Sequence, residues 1–83
     1  MKKHIHLRKK SSNKQLTYDI IVTKAPSSIA RGFIEKIGTY IPHKDKWSNK
    51  YLFINRERYA YWLGRGATVT KRLYILIVES YIH

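Results

Sequence analysis

Charge is the first constraint on what this chain can become. Its 83 residues carry 17 Lys and Arg against five Asp and Glu, a formal net charge of +12 at pH 7. A compact body with that imbalance repels itself and seeks a polyanion. Nucleic acid, an anionic membrane surface and an acidic protein are the candidate partners. The sequence is not a disordered basic tail, because 43% of its residues are hydrophobic and seven Tyr, two Trp and two Phe are available for a core. The length predicts one domain over residues 1–83, near the lower limit of what folds alone. With no cysteine, neither disulfides nor a Cys-based zinc site can add stability. The longest apolar run, Leu73–Val78, is far short of the roughly 18 residues a membrane helix needs. The first residues are polar and charged and do not read as a signal peptide.

Local patterning predicts an α+β domain. His4–Arg8 alternates, with Ile5 and Leu7 on one face and His4, His6 and Arg8 on a wet, cationic one. Lys9–Lys14 reads as a polar basic loop, and Leu16–Thr23 as a second strand with Tyr18, Ile20 and Val22 on one face. Lys24–Gly32 is irregular, and Phe33–Ile41 is a third strand stopped by Pro42. After the polar loop His43–Lys50 comes a short fourth strand, Tyr51–Ile54. Asn55 is placed to cap a helix whose Tyr59, Trp62 and Leu63 form a buried stripe, with Gly64 and Gly66 as the left-handed stop. Thr70 is a second candidate cap. Leu73, Leu76 and Ile77 fit a helix face, although Leu73–Val78 is also rich in strand formers; we read it as a helix. The expected fold is a small mixed four- to five-stranded sheet packed against helices on one side.

Three segments carry more specific information. Ala30-Arg31-Gly32-Phe33-Ile34-Glu35-Lys36-Ile37-Gly38-Thr39-Tyr40, followed by Pro42, is similar to the central motif of the bacterial-type small-subunit ribosomal protein sixteen family. Asn55-Arg56-Glu57-Arg58 through Tyr61-Trp62-Leu63-Gly64-Arg65-Gly66-Ala67-Thr68 resembles that family's helix, and Tyr18-Asp19-Ile20-Ile21-Val22 its second strand. The resemblance runs from about His4 to Val78. It implies a mixed-sheet domain, binding to the 5′ and central parts of small-subunit rRNA, and a part in subunit assembly. The sequence departs from the pattern in several places. Gly32 adjoins Phe33 without the usual intervening Arg, Ile41 stands where an Asn precedes the proline, and Asp19 replaces an Arg. The chain stops at His83, where many members continue. These departures favour a divergent, organellar lineage, with a mitochondrion ahead of a bacterial cytoplasm or a plastid.

The candidate RNA-binding residues fall in four basic stretches. Lys2, Lys3, Arg8, Lys9, Lys10 and Lys14 are expected to meet phosphates from a strand and a loop that orders on RNA. Arg31 stands where the resemblance implies a cation against rRNA, and Gly32 beside it lets the backbone approach a phosphate closely. Lys44 and Lys46 lie in the loop with Trp47, which we read as packing on the core rather than stacking on a base. Arg65, Lys71 and Arg72 flank a turn that leads into a helix N-terminus, where amides favour phosphate.

Other chemistries are less well served. His4 and His6 are two apart on a strand, but His43 and His83 add no recognisable metal spacing. Asp19, Glu35, Asp45, Glu57 and Glu79 are scattered, which disfavours a metal-dependent nuclease, and Glu35 and Lys36 read as cross-sheet pairing residues. The two helices loosely imitate helix-turn-helix, yet the second is apolar where a DNA-reading helix needs polar side chains. The expectation is therefore a non-enzymatic ribosomal protein. Its partners would be small-subunit rRNA and neighbouring ribosomal proteins, with no cofactor, no small-molecule substrate and no membrane.

Overall fold

The alternating segments form strands because each has one face to bury. In the computed structural model, which describes residues 2–11, 16–24, 32–42 and 52–82, β1 (His4–Ser11) and β2 (Leu16–Thr23) make an antiparallel hairpin, with Arg8 opposite Asp19 and Lys9 opposite Tyr18. Next to β2 lies β3 (Glu35–Tyr40), and next to β3 lies β4 (Leu52–Ile54), both antiparallel. A bulge between Ile20 and Ile21 shifts the β2–β3 register. A fifth strand, β5 (Thr68–Val69), runs parallel to β1, so the sheet is mixed, in the order β4-β3-β2-β1-β5.

Helix α1 (Arg56–Gly64) begins at Asn55, whose side-chain oxygen accepts from the Arg58 amide at 3.1 Å. Helix α2 (Lys71–Ile82) begins after Thr70, whose carbonyl accepts its first bond from Tyr74. Both helices cover one face of the sheet. Trp62 from α1, and Leu73 and Ile77 from α2, pack against Ile5, Ile20, Val22 and Ile37, with Leu52, Ile54, Tyr59 and Val69 at the margin. This is the α+β arrangement expected, a mixed sheet with helices on one side.

Several local expectations need correction. Lys9 and Lys10 belong to β1 and not to a loop, because the hairpin ladder continues to Ser11. The third strand starts at Glu35 and not at Phe33. His6, placed on the wet face, is buried, and its Nε2 shares a 3.0 Å hydrogen bond with Thr23 Oγ1. Leu63 is 41% exposed, so the buried stripe of α1 is Trp62 with Tyr59. Only Gly66 supplies a left-handed residue, with φ of +86°; Gly64 is the last residue of the helix. Gly38 is required for a different reason. A Cβ there would run into the Phe53 carbonyl and come within 3.0 Å of the Ile54 Cα, so β4 can approach β3 only over a glycine. The strand at Thr68–Val69 was not anticipated, since two residues carry no periodicity.

Candidate nucleic-acid interface

The pairing of β1 with both β2 and β5 gathers cations from distant parts of the chain. At the start of β1, the Thr68 amide donates to the Lys3 carbonyl at 3.0 Å, and Thr68 Oγ1 shares a 2.9 Å bond with His4 Nδ1. Lys2 and Lys3 thus enter the sheet beside the Arg65–Ala67 turn, and exposed Arg65 accompanies them. At the other end of β1, exposed Lys9 lies across from Tyr18. Arg72, from the first turn of α2, holds its guanidinium 5.0 Å from the centre of the Tyr18 ring, and Tyr40 packs on Tyr18 at 6.0 Å. Two predicted residues far apart in sequence, Lys9 and Arg72, therefore flank one tyrosine. Lys71 is exposed beside Arg72.

Arg8 and Lys10 project from the opposite face, away from the helices. Arg8 is not a free cation. Its guanidinium reaches Asp19 Oδ2 at 3.3 Å and lies 4.9 Å from the centre of the Phe33 ring. The Asp19 side chain is buried, and its other oxygen meets Lys36 Nζ at 3.2 Å. The acid that replaces the usual Arg thus sits between two cations, one of them Lys36. Gly32 has φ of +113° with open space where a Cβ would stand, so the conformation favours glycine and no side chain shields the backbone there. Lys14, Arg31, Lys44, Lys46 and Trp47 lie outside the described residues.

Sequence reasoning missed the cluster on α1. Arg58 donates to Glu35 through Nε and Nη2, each at 2.6 Å, and the Trp62 indole N–H adds a 3.3 Å bond to the same carboxylate. Hydrogen bonding from Arg58 draws the Glu35 carboxyl below its ordinary pKa, with partial burial opposing and Trp62 assisting. Tyr61 takes guanidinium contacts from Arg58 at 4.2 Å and Arg65 at 4.6 Å. The spacing of Arg58, Tyr61 and Arg65, three and four residues apart along α1 and its C-cap, was the available signal. Lys36 pairs across the sheet with Asp19, as expected, whereas Glu35 pairs with Arg58 of α1. Among the described residues, no three His, Asp or Glu side chains are grouped to hold a metal ion.

This geometry suits polyanion contact. The family model for ribosomal protein S16 matches residues 9–70. The small ribosomal subunit protein bS16 of Rickettsia bellii (strain OSU 85-389) is 33% identical over 76 residues, covering 92% of this chain and 68% of that protein. The bS16 proteins of Rickettsia rickettsii (strain Sheila Smith) and Rickettsia akari (strain Hartford) are 32% and 30% identical over the same coverage. The chain belongs to the ribosomal protein S16 family. Membership in the S16 family makes it a structural protein and not an enzyme, and the nuclease and DNA-regulator readings lose their ground. The S16 match begins inside β1 and ends at Thr70, so it takes in the end of β1, strands β2 to β5 and α1, whereas the start of β1 and α2 lie outside it.

Proposed function

We propose that this protein, as a constituent of the small ribosomal subunit, binds its rRNA by bridging separate RNA segments and so supports subunit assembly and translation. The observation that carries the reading is the convergence around β1: Lys3 beside Thr68 at one end, and Lys9 with Arg72 around Tyr18 at the other. Residues 1–83 act as one domain, a rigid sheet-and-helix body that fixes the spacing between cationic groups. Recognition is mainly by phosphate position and shape, because folded RNA hides its base edges. Lys2, Lys3, Lys9, Lys10, Arg65, Lys71 and Arg72 serve as phosphate contacts, as do Lys14, Arg31, Lys44 and Lys46, and Gly32 gives the backbone close access. Neighbouring small-subunit proteins are the other partners.

The test is sedimentation of a source-cell extract after a moderate-salt wash. Migration with the small subunit supports the reading; a free or DNA-bound protein overturns it. The relatives named are bacterial, and the organellar assignment rests on the departures from the motif. Cell fractionation decides it: enrichment of the protein with mitochondrial ribosomes supports a mitochondrial source, and its absence from them removes it.

A further inference from the structure

The face of the sheet turned away from the helices carries an arrangement that the cationic segments do not explain. The strand registers align Arg8 with Asp19, Asp19 with Thr39, and Thr39 with Phe53, one row across four strands. Side chains alternate along a strand. Because Leu52 and Ile54 join the core under the helices, Phe53 points to the opposite face, where it is 56% exposed. Lys36 lies on this face through its contact with Asp19, and Phe33 through its contact with Arg8. Lys10 is two residues beyond Arg8 on the same side of β1. Among the described residues the one carboxylate of this face is Asp19, which is buried and already shared by Arg8 and Lys36.

We propose that the exposed part of this helix-free face is a second RNA-contact surface, on which Phe53 in β4 stacks against an unpaired rRNA base while Lys36 in β3 and Lys10 in β1 meet phosphates farther along the RNA. An exposed aromatic on a sheet face that also carries Arg8, Lys10 and Lys36, and whose one carboxylate among the described residues is already paired, fits a nucleotide, which presents a flat apolar face and an anionic edge together. A protein partner with an apolar surface would gain nothing from the flanking lysines. Asp19 is the positioning group, keeping Lys36 and Arg8 at fixed places on either side of it. The inference rests on the rRNA-binding reading and adds residues to it.

The experiment uses the full chain and a transcript of small-subunit rRNA. Affinity is measured across a salt series for the wild type, Phe53→Ala, Phe53→Tyr and Lys36→Gln, with ultraviolet crosslinking mapped on the protein. Phe53→Ala is expected to weaken binding roughly ten-fold or more without changing the salt dependence, and Phe53→Tyr to retain it. Lys36→Gln is expected to lower the salt slope by about one. A crosslink at Phe53 to a nucleotide outside a duplex supports the proposal. Wild-type binding with Phe53→Ala equally tight and no crosslink at Phe53 overturns it while leaving the ribosomal reading intact. Loss of a neighbouring ribosomal protein from Phe53→Ala subunits, with rRNA affinity unchanged, also overturns it and assigns the face to protein. Failure of the wild type to bind any small-subunit rRNA overturns both. Phe53→Tyr keeps the aromatic ring in β4, so a loss seen in Phe53→Ala alone reads as lost stacking when the two variants melt alike.

Discussion

Arg58 grips Glu35 with two guanidinium nitrogens across 23 residues of sequence, and so ties the third residue of α1 to the first residue of β3. The fork geometry matches the carboxylate, which a lysine cannot do. Glu35→Gln keeps the shape and removes the charge. It should lower the melting temperature by a few degrees at neutral pH, and Arg58→Lys should lose most of the same stability. Because the Glu35 carboxyl is held below its unfolded value of 4.5, its contribution is present above that pH and is lost as the pH falls through the lower folded value. Thermal melts followed by circular dichroism from neutral to acid pH check this: the gap between wild type and Glu35→Gln should close in acid.

Gly38 can be tested directly. Gly38→Ala sets a methyl group against the Phe53 carbonyl, and the neighbour is backbone that cannot rotate away. The variant should lose about 2 kcal/mol or more, as overpacked sites do. Urea denaturation measures it. Gly32→Ala is a useful comparison, because it faces open space but a left-handed φ of +113°, and it should lose only about 1 kcal/mol or so.

His6 links stability to mildly acidic pH. Burial, and then the charge of His4, hold its imidazole below the ordinary value of 6.5. The unfolded chain takes up a proton as the pH falls through 6.5, while the folded chain resists until lower pH. Stability should therefore be full above pH 6.5 and decline below it. In His6→Gln the difference in melting temperature between about pH 7.5 and about pH 5.5 should shrink. An undiminished difference in that variant would assign the effect to another group.

Arg8 and Lys9 are neighbours with different duties. Arg8→Ala leaves the buried Asp19 with one partner in place of two and should cost about 1–3 kcal/mol of stability. Lys9 is exposed on the other face, so Lys9→Ala should leave the melting temperature unchanged and lower the salt slope of rRNA binding by about one. Equal melting temperatures for the two variants would show that Asp19 does not depend on Arg8.

Four of the strands, the Asn55 cap and the fold class were legible because alternation, Asn55 and the helical stripe are local signals. The Asn55 side chain accepts from the Arg58 amide as its position implied. Long-range events were not legible. Nothing in residues 4–8 marks His6 as buried while Arg8 stays half-exposed, since that depends on Thr23 and Phe33 reaching the same face. Nothing in Thr68–Val69 marks a strand, because its partner among the described residues is the distant β1. The basic residues were legible as a set, but their grouping was not: Lys9 and Arg72 meet through Tyr18, and Arg8 and Lys36 through Asp19. Lys36 was legible as a pairing residue and Phe53 only as part of a strand, because the face they share is defined by the register.

The parallel pairing of His4 with Thr68 also sets an order of events. The meander from β1 to β4 is joined by neighbouring segments and can assemble as the chain is made. The free edge of β1 must wait for residues 64 positions later. Closing so long a loop is entropically costly for a two-residue strand, and the return comes from α2, which follows at once and seats Leu73 and Ile77 on the sheet. Until then the edge of β1 that pairs with β5 lacks that partner, and unpaired amides and carbonyls are the kind of edge to which other chains add. Sheet closure and helix docking are thus one late step, and a newly made molecule is most prone to aggregate just before it.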